Sequence, residues 1–142
     1  MAVEEYAKRL GRYCTLDIIE LPDEKTPDNA SEALEEQIKK KEGDRILKAI
    51  KADSYCVALA IEGKQLSSVE LAEKLHSLGV GGNSHISFII GGSLGLSAEV
   101  LDRADEKLSF SKLTFPHQLM RVLLLEQIYR SFRIIHNQPY HK

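Results

Sequence analysis

Two short apolar runs, YCVALAIEG at 55–63 and HISFIIGG at 85–92, each break at glycine and each lead into a helix signal. A continuous apolar run of that length suits a strand covered on both faces, as in parallel sheets. After the first run comes SSVELAEKLHSLG (67–79), where Ser67 and Glu70 have capping-box spacing and Gly79 reads as a stop. After the second comes LSAEVLDRAD (96–105), a short helix. Strands alternating with helices predict an α/β layer fold with a mostly parallel sheet.

The flanks extend this pattern. In AVEEYAKRL (2–10) Val3, Tyr6 and Leu10 share a helical face, with Gly11 as a stop. TLDIIEL (15–21) reads as a strand ended by Pro22, and 22–30 as a loop. A helix is expected from about Ser31 to Ile50, opened by Asn29 with Glu32 three residues on. KLSFSKLTF (107–115) is strand-like, and Pro116 then opens a helix reaching about Ile135. That helix is apolar nearly all round, so it needs cover on more than one side, from a partner subunit or from its own sheet. No repeat, low-complexity tract or linker divides the chain, so 1–142 is expected to be one domain.

At 142 residues the chain can bury a real core. No apolar run nears the roughly 20 residues that span a bilayer. Nor does a basic segment followed by an apolar one mark a secretory precursor, so a cytoplasmic protein without membrane contact is expected. Cys14 and Cys56 both lie in strand-like segments and are expected to be buried, reduced thiols. Residues 1–106 hold 13 Lys/Arg against 20 Asp/Glu, whereas residues 107–142 hold six against Glu126 alone. An acidic body with a basic end suggests that the end faces a polyanion, although a solvated basic helix would look the same.

Gly91-Gly92-Ser93-Leu94-Gly95 follows a strand and precedes a helix, the place where open α/β sheets bind ligands. Its spacing fits neither the dinucleotide fingerprint nor a Walker A loop, and a plain strand-to-helix turn would serve equally. Glu62-Gly63-Lys64 ends the other strand in a similar way. His136 and His141 are five apart with no third donor nearby, so no metal site is expected. Neither cysteine sits in a recognisable Cys/His arrangement, so hydrolase chemistry has weak support.

The segments DEKTPDNAS, KEGDRIL, LAIEGKQLSS, FIIGGSLGLS, LSFSKLTFPHQLMRVLLLEQIYR and the closing PYHK resemble the ribosomal RNA large subunit methyltransferase H family along essentially the whole chain. The resemblance implies a SPOUT-type, Rossmann-like fold with a C-terminal trefoil knot, working as a homodimer. It also implies S-adenosylmethionine as cofactor and methylation of N3 of a pseudouridine in 23S ribosomal RNA, on the assembled ribosome. Carried over, the cofactor loops correspond to Leu59, Gly91 and Phe110-Ser111-Lys112-Leu113-Thr114-Phe115. Family members begin with a strand, a glycine-containing turn and the start of the first helix. This sequence opens in what reads as the tail of that helix, so a strand and half a helix are expected to be missing.

Methyl transfer from sulfonium mainly requires alignment with the attacking nitrogen, and the imide N–H must lose its proton. His141 is the candidate base or positioning group, Tyr140 the candidate stacking ring, and Arg130 a third candidate for the catalytic site. Arg121, His117 and Lys142 are candidate RNA contacts. In a dimer, the tail after the last helix is expected to reach over a cofactor pocket. The competing reading is a non-catalytic member that binds cofactor or dimerises without turnover.

Overall fold

A computed structural model describes residues 2–92 and 94–140. Their contacts gather into two compact units, one of Met1–Ile18, Gln65–Ser84 and Phe115–Lys142, the other of Ile19–Lys64 and His85–Thr114.

The second unit holds the sheet. Strand β1 (Tyr55–Gln65) lies between β2 (Ile86–Ile89) and β3 (Glu106–Ser109). β1 and β2 are parallel, with Tyr55 opposite Ile86 and Ala58 opposite Ile89. Cys56 exchanges with Asp105, its N–H donating to the Asp105 carboxylate at 2.8 Å, while Gly63 lies against Lys107 and Leu108. Contacts that advance together along both strands mean that β3 runs in the direction of β1. The expected α/β architecture with a parallel sheet is therefore present.

Helices α2 (Glu32–Ala49) and α4 (Ala98–Arg103) pack on each other in this unit. The approach is close because residue 43 has no side chain: a Cβ there would stand 2.2 Å from Ser97 Oγ. Cys56, Ile89 and Val100 form a buried cluster, flanked by Ile46, Leu47, Ile50 and Leu96.

The first unit is helical. Helix α5 (His117–Ile135) packs against α1 (Ala2–Leu10) and α3 (Ser68–Val80), burying Leu124, Leu125, Ile128 and Tyr129. Two helices of its own unit thus supply the cover that its apolar surface demands, although Leu119 remains 45% exposed. Ser67 and Glu70 form the expected capping box, each side chain bonding the other's backbone N–H.

Four local expectations are corrected. Residues 15–21 are not a strand, and Ile18 and Ile19 are 44% and 64% exposed. Period-two apolarity marks a face, but a strand also needs a neighbouring backbone to bond with. The strand expected over 107–115 ends at Ser109, where side chains bond the backbone locally. Ser109 Oγ donates to the Ser111 carbonyl at 3.1 Å and Leu113 N–H donates to Ser111 Oγ at 3.0 Å, which competes with a ladder. Helix α2 is capped by Ser31, which accepts from Leu34 N–H, and not by Asn29. Cys14 lies in the turn after α1 and not in a strand, its thiol bonded to the Leu10 carbonyl.

Candidate functional site

The exits of β2 and β3 flank β1 at one edge of the sheet. The glycine loop leaves β2 there and residues 110–115 leave β3. Ala58 pairs with Ile89, the last residue of β2, so half-buried Leu59 is level with that exit. Within the glycine loop Gly92 and Gly95 bridge, with Gly95 N–H donating to the Gly92 carbonyl at 3.0 Å. Gly95 has φ +87°, a conformation that a side chain would strain. A Cβ on Gly91 would meet Leu96 Cδ2 at 2.9 Å, so the chain itself needs glycine there. Ser93 lies outside the described residues.

In the loop after β3, Phe110, Ser111 and Phe115 are half-buried, whereas Lys112, Leu113 and Thr114 are exposed. Leu59 is thus level with the exit of β2, while Gly91 and the 110–115 loop follow β2 and β3. The opposite end of β1 is tied down by Arg103, whose Nη2 donates to the carbonyls of Lys51, Ala52 and Ser54 at 3.0–3.3 Å.

Two carboxylates that sequence reasoning passed over stand beside the glycine loop. A Cβ on Gly92 would lie 3.4 Å from Asp23 Oδ1 and from both Glu42 oxygens. Glu42 Oε2 accepts the Glu24 N–H at 2.9 Å, and Arg45 donates to the Pro22 carbonyl at 3.0 Å and to the Glu24 carboxylate. Helix α2 thus holds the 22–24 loop against the glycine loop. DEKTPDNAS and KEGDRIL contain these residues, but nothing in their spacing announces the contact.

His117, Arg121, Arg130 and Tyr140 lie in the helical unit and fall into two groups. His117 and Arg121 are one turn apart at the start of α5, where Gln118 lies within hydrogen-bond reach of both. Arg130 is nine residues further, roughly 14 Å along the axis. Its guanidinium bonds Glu126 through Nε at 2.9 Å and Nη2 at 2.8 Å. Hydrogen bonding to Glu126 raises its pKa further above the ordinary guanidinium value. The same guanidinium sits 4.9 Å from the centre of the Tyr140 ring, whose edge meets Tyr129 at 5.0 Å. Burial pushes the Tyr140 phenol up, and a hydrogen bond with Tyr6 adds to this. Arg130 and Tyr140 are therefore brought together, while His117 and Arg121 stand apart from them. His141 and Lys142 lie outside the described residues.

The described residues contain no group of three or more His, Cys, Asp or Glu that could hold a metal ion. A surface cleft along α3, lined by Glu70, Glu73, Lys74, Ser77 and Leu78, includes none of the candidate residues.

Residues 1–141 match the family described as "Predicted SPOUT methyltransferase". The chain belongs to the SPOUT methyltransferase family. It is similar to several curated proteins named ribosomal RNA large subunit methyltransferase H. The Bifidobacterium adolescentis protein is 64% identical over 141 residues, which cover 99% of this chain and 89% of that one. The Clostridium beijerinckii protein is 65% identical with the same coverage. The Alkaliphilus oremlandii protein is 63% identical over 142 residues, all of this chain and 89% of that one. As in other SPOUT methyltransferases, the reaction is methyl transfer.

Proposed function

We propose that this SPOUT member is a single-domain, S-adenosylmethionine-dependent enzyme with the family's trefoil knot. Its product is a pseudouridine methylated at N3 in 23S ribosomal RNA of the assembled ribosome. The observation that carries this reading is the match along essentially the whole chain to relatives of that name. The strand-exit geometry supports it. Backbone loops at the ends of parallel strands, with half-buried Leu59 and Phe110 beside them, suit an adenosyl group. The Asp23 and Glu42 carboxylates beside Gly92 supply the charge that suits a sulfonium compound.

When bound, that cofactor supplies an activated methyl group. The chain's own contribution is to hold the two reactants in line and to exclude competing water. Leu59, Gly91 and residues 110–115 would hold the donor. Lys112, exposed in that last loop, and His117, Arg121 and Lys142 would meet RNA phosphates. Tyr140 would position the base, with Arg130 fixing the Tyr140 ring, and His141 would receive the N3 proton. A homodimer formed through α5 would use the apolar surface that Leu119 still exposes.

The test is methyl incorporation into purified ribosomes, with the modified nucleoside identified by mass spectrometry. Deleting residues 140–142 should abolish incorporation and leave cofactor affinity, measured by calorimetry, nearly unchanged. Near-full activity after the deletion would remove the tail from the mechanism. Equal loss of cofactor binding would reassign the tail to the donor site.

A further inference from the structure

The helical unit ties its own end down from the opposite end of the chain. Tyr13, just after α1, donates its hydroxyl to the Gln138 side-chain carbonyl. Its ring stacks on Phe132 at 5.2 Å and 4°, and on His136 at 5.3 Å and 25°. Tyr6, on α1, sets its ring 6.2 Å from that of Tyr129, tilted by 55°. From α5, Arg133 Nη2 donates to the Pro139 carbonyl at 2.9 Å, and Tyr129 and Arg130 pack on the Tyr140 ring. Asn137 turns the chain at φ 55°, the left-handed region that asparagine tolerates better than most residues. Gln138 is thus held by a side chain 125 positions away, and Pro139 and Tyr140 by side chains of α5.

We propose that Tyr13 is a positioning residue for methyl transfer, fixing residues 138–140 in the one arrangement that presents Tyr140 to the RNA base. The inference rests on the methyltransferase reading above. A free tail would sample many conformations, and ordering it at each turnover would cost conformational entropy. A tail already docked avoids that cost, so the effect should fall on kcat with ribosomes and not on donor binding.

Tyr13→Phe removes the hydroxyl and keeps the stacked ring, so the fold should survive; Gln138→Ala removes the acceptor. Each should lower kcat about tenfold, the scale of one lost positioning bond, with the donor Kd unchanged within about twofold. If the two residues act through one bond, the double variant should be no slower than either single one.

Release of the C-terminal residues by carboxypeptidase gives a readout independent of activity, and Tyr13→Phe should release them faster. Wild-type kcat in Tyr13→Phe, or a further tenfold loss when Tyr13→Phe is added to Gln138→Ala, would overturn the proposal. So would unchanged carboxypeptidase release in Tyr13→Phe. Failure of the wild-type chain to methylate ribosomes would instead overturn the functional reading, and the carboxypeptidase comparison would still decide whether Tyr13 docks the tail.

Discussion

Cys56 shows how burial alone decides the chemistry of a residue. Its side chain is fully buried beside Ile89 and Val100, and burial pushes its thiol pKa up. The thiolate is the nucleophile, so raising the pKa removes the reactive form at neutral pH and buried packing blocks the reagent as well. Cys56 should therefore resist a thiol reagent at pH 8 in the folded protein and react at once in denaturant, as mass spectrometry of alkylated peptides would show. Fast labelling of native Cys56 would contradict this core. Glycines are equally readable at this scale. A Cβ on Gly63 would stand 2.7 Å from the Lys107 carbonyl carbon and 2.8 Å from Leu108 N, both backbone atoms that cannot swing away. Gly63→Ala should cost about 1–3 kcal/mol in urea unfolding, as overpacking does. Gly79, in the last turn of α3, has nothing within 4 Å of its missing Cβ. Gly79→Ala should instead gain about 0.5 kcal/mol by restricting the unfolded chain.

Among the elements, α3 is the one whose start is most fully specified. Ser67 Oγ accepts the Glu70 N–H at 3.1 Å, and Glu70 Oε1 accepts the Ser67 N–H at 2.8 Å. Two of the otherwise unpaired first-turn donors are satisfied reciprocally. Ser67→Ala should destabilise the protein by about 1 kcal/mol. Adding Glu70→Ala should cost less than the two single losses summed, because they share one arrangement. Additive losses in urea unfolding would mean that the two bonds form independently. Helix α5 has no such cap: Pro116 precedes it without a side-chain bond, and its position is set by packing against α1 and α3.

At the scale of the whole molecule, no helix among the described residues is long and apolar enough to cross a membrane. If S-adenosylmethionine occupies the strand-exit loops, it binds the folded chain and not the unfolded one. The melting temperature should then rise with ligand, by the equivalent of about 2.7 kcal/mol at a hundredfold excess over Kd. No shift at about millimolar ligand, in folded protein, would remove the donor from these loops. If the chain dimerises through α5, the dimer should persist in light scattering across a dilution series, and replacing exposed Leu119 with a charged residue should weaken it. A folded monomer at about tens of micromolar would leave Leu119 exposed in solution and the dimer reading without support.

Periodicity and end signals in the sequence were sufficient for α1, α3, α4, α5, β1 and β2, because each depends on neighbours within a few positions. The strand-exit location of the glycine loop followed from order alone: strand, glycines, helix. The family could be read from its motifs, whereas the site's supporting contacts could not. Residues 15–21 have the apolar content of a strand, yet no pattern within them can state whether another backbone lies alongside. Ser109 and Ser111 end β3 through two short-range bonds that compete with the ladder, and their outcome depends on what the ladder offers. Asp23 and Glu42 meet Gly92, and Tyr13 meets Gln138, across separations that no local period encodes. Local free energies select the elements; close approaches between distant residues exist only once those elements have packed, and there the tertiary structure decided.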